Sequence, residues 1–224
     1  MLLKDEWLSL YFKEAVYSYQ QSDLEDLKDI QSGFVYTKIP TEDQIQFDNL
    51  IKDGFELVET SLLFEQKKKV IYPLVSSFDI GFVKKEEESD VRILAKNSFL
   101  SSRFYQDEHI PKSTADKIKE DWVANYFRGK RGDNMVVARY QDKVVGFLLL
   151  INQQTIDLIA VSPDYRRMGV AFLLIGFTNA KIGLLRAGTQ SNNLSSIAMY
   201  KKSGFSLKKS FYVMHKFFGY MNYE

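Results

Sequence analysis

The sequence predicts an α/β (α+β) fold, a mixed sheet with helices on both faces, preceded by a smaller α/β segment. Three observations carry this expectation. From residue 78 onward, strand-like and helix-like runs follow in the order β-α-α-β-β-β-α-β-α-β. The apolar run Ile156–Val161 leads through a short basic turn, Ser162 to Gly169, into an apolar-periodic segment, Val170–Leu184. Hydrophobic residues make up 45% and charged residues 26% of the 224, the balance of a globular chain.

The elements follow in order. Before the boundary, Ala15–Tyr19, Gly33–Ile39 and Phe55–Phe64 read as strands. A helix runs from about Glu42 to Lys52. Thr41 with Gln44 makes a capping-box start, and Gly54 is a stop signal. Pro73 and Ser76-Ser77 follow the charge run Glu65–Lys69 and mark a boundary near 73–78. Two regions result, 1–75 and 76–224. Phe78–Lys84 is then a strand and Ser89–Phe99 a helix. The segment Ser101–Pro111 is polar and aromatic. In the helix Thr114–Phe127, Ala115, Ile118, Trp122 and Tyr126 share one face. Met135–Tyr140 and Val144–Ile151 flank Gln141-Asp142-Lys143, a hairpin signal, and Thr155–Val161 is the next strand. The helix Val170–Leu184, a strand Leu185–Thr189, a helix Leu194–Lys202 and a strand Phe205–Phe217 complete the chain.

Composition excludes several function classes. Thirty basic against 29 acidic residues leave a net charge of +1, so no global field favours nucleic acid. There is no cysteine, hence no disulfide, thiolate metal site or cysteine nucleophile, and with two histidines no histidine-rich metal centre. No metal is expected. No apolar run reaches the roughly 18 residues of a membrane span, and Met1–Glu6 lacks a signal peptide's apolar core. A cytoplasmic location is the expectation.

The strand, basic turn and glycine-initiated helix around residue 169 direct several backbone N–H groups at one spot, which favours a phosphate. Neither a Gly-Lys-Ser/Thr loop nor a Gly-x-Gly-x-x-Gly fingerprint is present. The spacing Arg166-x-x-Gly169-x-Ala171 resembles the pyrophosphate signature of the GNAT superfamily of acetyl-CoA-dependent N-acetyltransferases. The run Asn193…Ala198-x-Tyr200…Gly204-Phe205 is similar to a second motif of that family, and the element order over 78–217 matches its architecture. A faint repeat, Asp48–Phe55 against Ala198–Phe205, makes the front segment a candidate degenerate GNAT-like domain; Leu50 stands where Tyr200 stands. Chance similarity of two helix-Gly-Phe-strand joints remains the alternative.

The resemblance implies acetyl-CoA as cosubstrate, with a role for each matched position. Backbone N–H groups of Arg167, Met168, Gly169, Val170 and Ala171 would hold the diphosphate, with charge from Arg166 and Arg167. Pantetheine would lie along Leu158, Ile159, Ala160 and Val161 like an added strand, beside a bulge, with one backbone N–H facing the thioester oxygen. Asn193 and Lys202 would contact the cofactor. Tyr200 would give the sulfur its proton, and a phenol of pKa about 10 is protonated at neutral pH and can do so. Related enzymes place a glutamate early in the strand before the turn. Here that stretch reads Asn152-Gln153-Gln154-Thr155, and Asp157 is the nearest carboxylate, with a water chain as the alternative base.

Leu185–Asn193 followed by Tyr200, with Ser102-Arg103-Phe104 upstream, is similar to the TDP-fucosamine N-acetyltransferases. That resemblance implies a nucleotide-linked 4-amino-4,6-dideoxy sugar as acceptor. Arg103 would meet its diphosphate, Phe104 or Tyr105 would stack on base or sugar, and Thr189 and Gln190 would line the site. A protein N-terminus, a polyamine or an aminoglycoside as acceptor, or a non-catalytic CoA-binding role, stays open, as does a homodimer.

Overall fold

Strands anticipated from alternation pair into one sheet in a computed structural model that describes residues 1–20, 27–69, 71, 77–99 and 101–219. Among these residues the strands are β1 (Leu2–Lys4), β2 (Val16–Tyr19), β3 (Gly33–Pro40), β4 (Glu56–Gln66), β5 (Asp79–Phe82), β6 (Asn134–Tyr140), β7 (Lys143–Ile151), β8 (Thr155–Val161), β9 (Arg186–Gln190) and β10 (Phe205–Phe218). Their spatial order is β1-β2-β3-β10-β4-β9-β8-β7-β6-β5. The pairs β2–β3 and β8–β9 are parallel and the others antiparallel. The helices are α1 (Gln44–Lys52), α2 (Glu88–Lys96), α3 (Arg103–Gln106), α4 (Lys112–Phe127), α5 (Val170–Lys181) and α6 (Leu194–Lys202).

Local chemistry explains most boundaries. Gln141 and Asp142 adopt positive φ of 49° and 61°, the backbone of a tight hairpin turn between β6 and β7. Helix α1 starts two residues later than expected. Asp43, not Thr41, caps it by accepting from the Gln46 N–H, while Thr41 is bonded to Ser210. Helix α5 stops at Lys181, short of Leu184, because Gly183 adopts φ 128°. The polar segment after α2 contains the short helix α3. Pro73 and Ser76 of the expected boundary lie outside the described residues.

The two faces of the sheet carry separate cores. On one, α5 and α6 cover Phe64, Val136, Leu148, Ile156, Leu185 and Ala187. On the other, α2 and α4 cover Met135, Val137, Phe147, Leu149, Leu158 and Ala160, and α3 and α4 cover Phe34.

The front residues are woven into this sheet. Strands β3 and β4 do not pair with each other, because β10 lies between them. The units β3-α1-β4 and β9-α6-β10 correspond at a constant offset of 150 residues, set by the helices at Gln44–Lys52 and Leu194–Lys202. Caps Asp43 and Asn193 match, as do Gly54 and Gly204, both at positive φ. The hydrogen bonds match as well. Thr41 N–H donates to Ser210 O and Ser191 N–H to Thr60 O. Lys216 Nζ donates to Asp53 O and Gln66 Nε2 to Ser203 O. A local two-fold axis therefore passes between β4 and β10.

Gln66 is the buried tie of this arrangement. Its amide exchanges two hydrogen bonds with Asn179 of α5 (2.9 and 2.7 Å), donates to Ser203 O, and accepts from Leu185 N–H at the entry to β9. Removing it strands buried polar groups, each costing about 1–3 kcal/mol. Gln66→Ala is expected to lower unfolding free energy by roughly 2–3 kcal/mol, read as a fall in the urea midpoint at unchanged m-value. An unchanged midpoint would show the tie to be dispensable.

Candidate active site

The cofactor end is built by backbone. After β8, a single 3₁₀ turn at Pro163–Tyr165 reverses the chain, and Arg167 and Gly169 take positive φ of 64° and 83°. Gly169 is the N-cap of α5, and its φ is one that glycine adopts without strain. No side chain caps that helix, and a Cβ at Gly169 would meet nothing within 4 Å. The N-terminus of α5 therefore faces open space with its donors uncapped. The site fits a diphosphate. Arg166, Arg167 and Met168 are exposed around it, and Arg166 Nε is tethered to Val161 O at 3.1 Å.

Strands β8 and β9 pair at only two positions, Thr155↔Arg186 and Ile156↔Ala187. Beyond them the strands are unpaired along that edge. The break coincides with a bulge: Leu149 pairs with Leu158 and Leu150 with Ile156, which leaves Asp157 as the extra residue. The bulge switches the facing of β8. Ile156 packs in the α5–α6 core, whereas Leu158 and Ala160 pack in the α2–α4 core. Main-chain groups of Leu158, Ile159, Ala160 and Val161 thus border a slot between two splayed strands, beside a bulge of the kind the family resemblance implies.

Asp157 is engaged. Its Oδ2 accepts from Arg131 Nε (2.7 Å) and Trp122 Nε1 (2.9 Å), and its Oδ1 from Arg131 Nη2 (2.8 Å). A base role would require breaking this bidentate pair, so its place is that of a clamp on the bulge. Arg131, in the turn after α4, is thereby tied to the bulge.

On the α5–α6 face, Tyr200 is 2% exposed and packs between Phe64 and Phe205. Burial raises its pKa well above the usual phenol value, so it holds its proton. Thr189 pairs with Leu62, which packs in that same core, so it belongs to the Tyr200 side and not to the acceptor side. Asn193 caps α6, accepting from Ser196 N–H at 3.2 Å, and Lys202 is exposed at its end.

On the opposite face, β3, β4 and β9 present a polar floor beneath α3 and α4. The Arg103 guanidinium lies over the rings of Tyr36 (4.1 Å) and Phe104 (4.7 Å). Lys38 Nζ donates to Ser61 Oγ at 3.1 Å and lies over Phe211. Glu59 sits among Arg103, Gln190, Lys119 and Lys38. Burial raises the pKa of Glu59 despite these partners, and its Oε2 is buried without a hydrogen-bond partner among the described residues. Burial likewise lowers that of Lys38, with Glu59 opposing. The end of α3 is pinned to β10, since Asp107 accepts from His215 and from the His109 N–H. Two expectations are corrected here. Phe104 is 1% exposed in the core and cannot stack on a ligand. The Tyr105 hydroxyl is bonded to Asp116 at 2.6 Å, along α4. Sequence reasoning missed Lys38, Glu59, Lys119 and Arg131. Their positions carried no motif, only the alternation of a strand or the face of a helix.

Among the described residues no group of histidine, cysteine, aspartate or glutamate side chains could hold a metal, and no helix is long and apolar enough to cross a membrane. The family model described as Acetyltransferase (GNAT) family matches residues 98–205. The chain is 27% identical over 211 residues to the spore coat polysaccharide biosynthesis protein SpsD of Bacillus subtilis, a match covering 90% of this chain and 70% of that protein. Among solved structures it resembles a conserved protein from Staphylococcus epidermidis described as functionally unknown (TM-score 0.61, 16% identity, 91% of this chain and 84% of that one). It also resembles a GCN5-related N-acetyltransferase from Sphaerobacter thermophilus (TM-score 0.57, 12% identity, 84% and 60%). At those identities the likeness speaks to fold alone. The uncapped helix N-terminus and the splayed strands lie within the matched segment. Residues 98–205 thus match the GNAT acetyltransferase family, and that match supports an acyl-CoA-dependent N-acetyltransferase.

Proposed function

We propose that the chain acetylates the primary amine of a nucleotide-linked aminodeoxy sugar, of the 4-amino-4,6-dideoxyhexose type, for surface polysaccharide synthesis in the cytoplasm. The observation that carries this reading is the cationic floor of the acceptor face. Arg103 and Lys38 project from α3 and β3 over a chain whose net charge is only +1. Such a concentration of partly buried cations suits an acceptor bearing a diphosphate, and is poorly suited to a polyamine. SpsD, named for spore coat polysaccharide biosynthesis, supports the same acceptor class.

Acetyl-CoA, when bound, supplies an activated acyl group on a thiol leaving group. The chain's residues do the rest. The first turn of α5 with Arg166 and Arg167 holds the diphosphate, and the exposed edge of β8 aligns the pantetheine arm. A backbone N–H at Leu158–Ala160 polarises the thioester carbonyl. Tyr200 donates a proton to the departing sulfur. The front segment, residues 1–75, is in this reading a decayed partial copy of the fold. It lends Lys38 and Glu59 to the acceptor face of the catalytic region, 76–224.

Three outcomes test the assignment. Gly169→Asp sets a carboxylate at the N-terminus of α5 and is expected to abolish CoA binding; undiminished affinity by calorimetry would move the cofactor site elsewhere. Tyr200→Phe keeps the packing and removes the proton, and kcat should fall by ~10²–10⁴ with acetyl-CoA affinity retained. Arg103→Ala should raise KM for the sugar nucleotide while leaving that for acetyl-CoA nearly unchanged, and the free sugar should be a poor substrate. Thiol release from acetyl-CoA across aminosugar nucleotides, polyamines and peptides decides the acceptor. Efficient turnover of spermidine or a peptide, with none of any aminosugar nucleotide, would overturn the sugar reading.

A further inference from the structure

We propose that Lys119 is the group that takes the proton from the acceptor's ammonium. Lys119 lies on α4 and is 5% exposed. Three rings surround its Nζ: Trp122 at 4.4 Å, Phe104 at 5.4 Å and Phe99 at 5.6 Å. The nearest ring belongs to the indole whose Nε1 is bonded to Asp157, the bulge residue where β8 parts from β9. Charged groups face it: Arg103 from α3, Glu59 from β4, Asp157 from β8, and Arg131 from the turn after α4. Lys119 is thus grouped with charged side chains of α3, β4, β8 and the turn after α4, and reaches the bulge of β8 through the Trp122 ring.

Its environment suits a proton acceptor better than a fixed charge. Burial, Arg103 and Arg131 disfavour the ammonium, Asp157 and Glu59 favour it, and the balance lowers its pKa to about 8. A neutral amine is thus available near physiological pH, while ring faces and two carboxylates stabilise the cation formed on proton uptake. Asp157 cannot compete, since its oxygens are occupied by Arg131 and Trp122.

The proton inventory closes. Lys119 Nζ removes one proton from the substrate ammonium; that N–H bond breaks, an Nζ–H bond forms, and the charge passes to Lys119. The freed lone pair forms the C–N bond as the C–S bond breaks. Tyr200 protonates the departing sulfur, the amide nitrogen's excess proton replaces that of Tyr200 through solvent, and Lys119 releases its own to solvent. The net products are amide, thiol and one proton.

The proposal rests on amine acetylation and not on the sugar-nucleotide acceptor, so it is tested with whichever amine is turned over best. Trace labelling of the wild-type protein with isotopic acetic anhydride, read at Lys119 by mass spectrometry between pH 6 and 11, needs no substrate. A midpoint near pH 8 is expected, and a midpoint above about 10, the ordinary lysine range, overturns the proposal. With saturating substrates, kcat should fall tenfold per pH unit below the same midpoint; a flat profile between pH 6 and 9 also overturns it. Lys119→Met and Lys119→Arg should each lose ~10²–10⁴ in kcat with CoA affinity retained. Arginine keeps the charge and does not deprotonate, so near-normal kcat in that variant would assign Lys119 to electrostatic binding and refute a base. Should either variant fail to fold, the two wild-type measurements still decide.

Discussion

Strands β8 and β9 are joined by two residue pairs, and the slot beside β8 exists because the pairing stops there. A parallel ladder of full length would pair the main chain of Leu158–Val161 and leave no free edge there. The stop is enforced by one extra residue, Asp157, which disrupts the ladder toward β7 and reverses the facing of all that follows. An extra residue in an interior strand is unfavourable unless its side chain is satisfied. Here a guanidinium fork and an indole N–H satisfy the carboxylate. The clamp also positions Trp122, whose ring lies 4.4 Å from Lys119 Nζ, so the bulge is tied to α4 as well as to the slot beside β8.

The front of the chain gains meaning from the local two-fold axis. Strand β10 fills the gap between β3 and β4, so burying the front strands completes the sheet of the matched domain. The correspondence has limits that bear on function. The front parallel pair β2–β3 stays registered at all four residues from Val16↔Phe34 to Tyr19↔Thr37, with no splay, and Leu50 occupies the position of Tyr200. One unit keeps an open slot and a buried phenol. The other is closed and contributes side chains, Lys38 and Glu59, to the charged cluster with Arg103 and Lys119.

Charge is distributed in a way that totals conceal. The chain is nearly neutral, yet Lys38, Arg103, Lys119 and Arg131 converge on one face with Glu59 and Asp157 as their counter-charges. Aromatic rings share the task. Tyr36 and Phe104 receive the Arg103 guanidinium, and Trp122 receives both Lys119 and Arg131. Ring faces tolerate cations without neutralising them, which leaves the positive field available to an anionic ligand.

The sequence by itself determined the elements whose information is local. An apolar run marked Thr155–Val161, Asp142 and its neighbours marked the hairpin, the glycine turn marked the start of α5, and the 150-residue offset was already visible in Asp48–Phe55 against Ala198–Phe205. The placement of the turn Arg166–Ala171 at the start of α5 and of Tyr200 on α6 was legible because each lies within one strand–turn–helix or one helix. The acceptor side was not legible. Phe104 looked available and is core; Asp157 looked free and is clamped by Arg131. Lys38, Glu59 and Lys119 come from three elements separated by tens of residues, and only the insertion of β10 between β3 and β4, with α4 laid across the same face, brings them together. Periodicity records which face of its own element a residue occupies; which other elements share that face is decided by long-range strand order, and so the partners, burial and charge of each acceptor-side group belong to the tertiary structure alone.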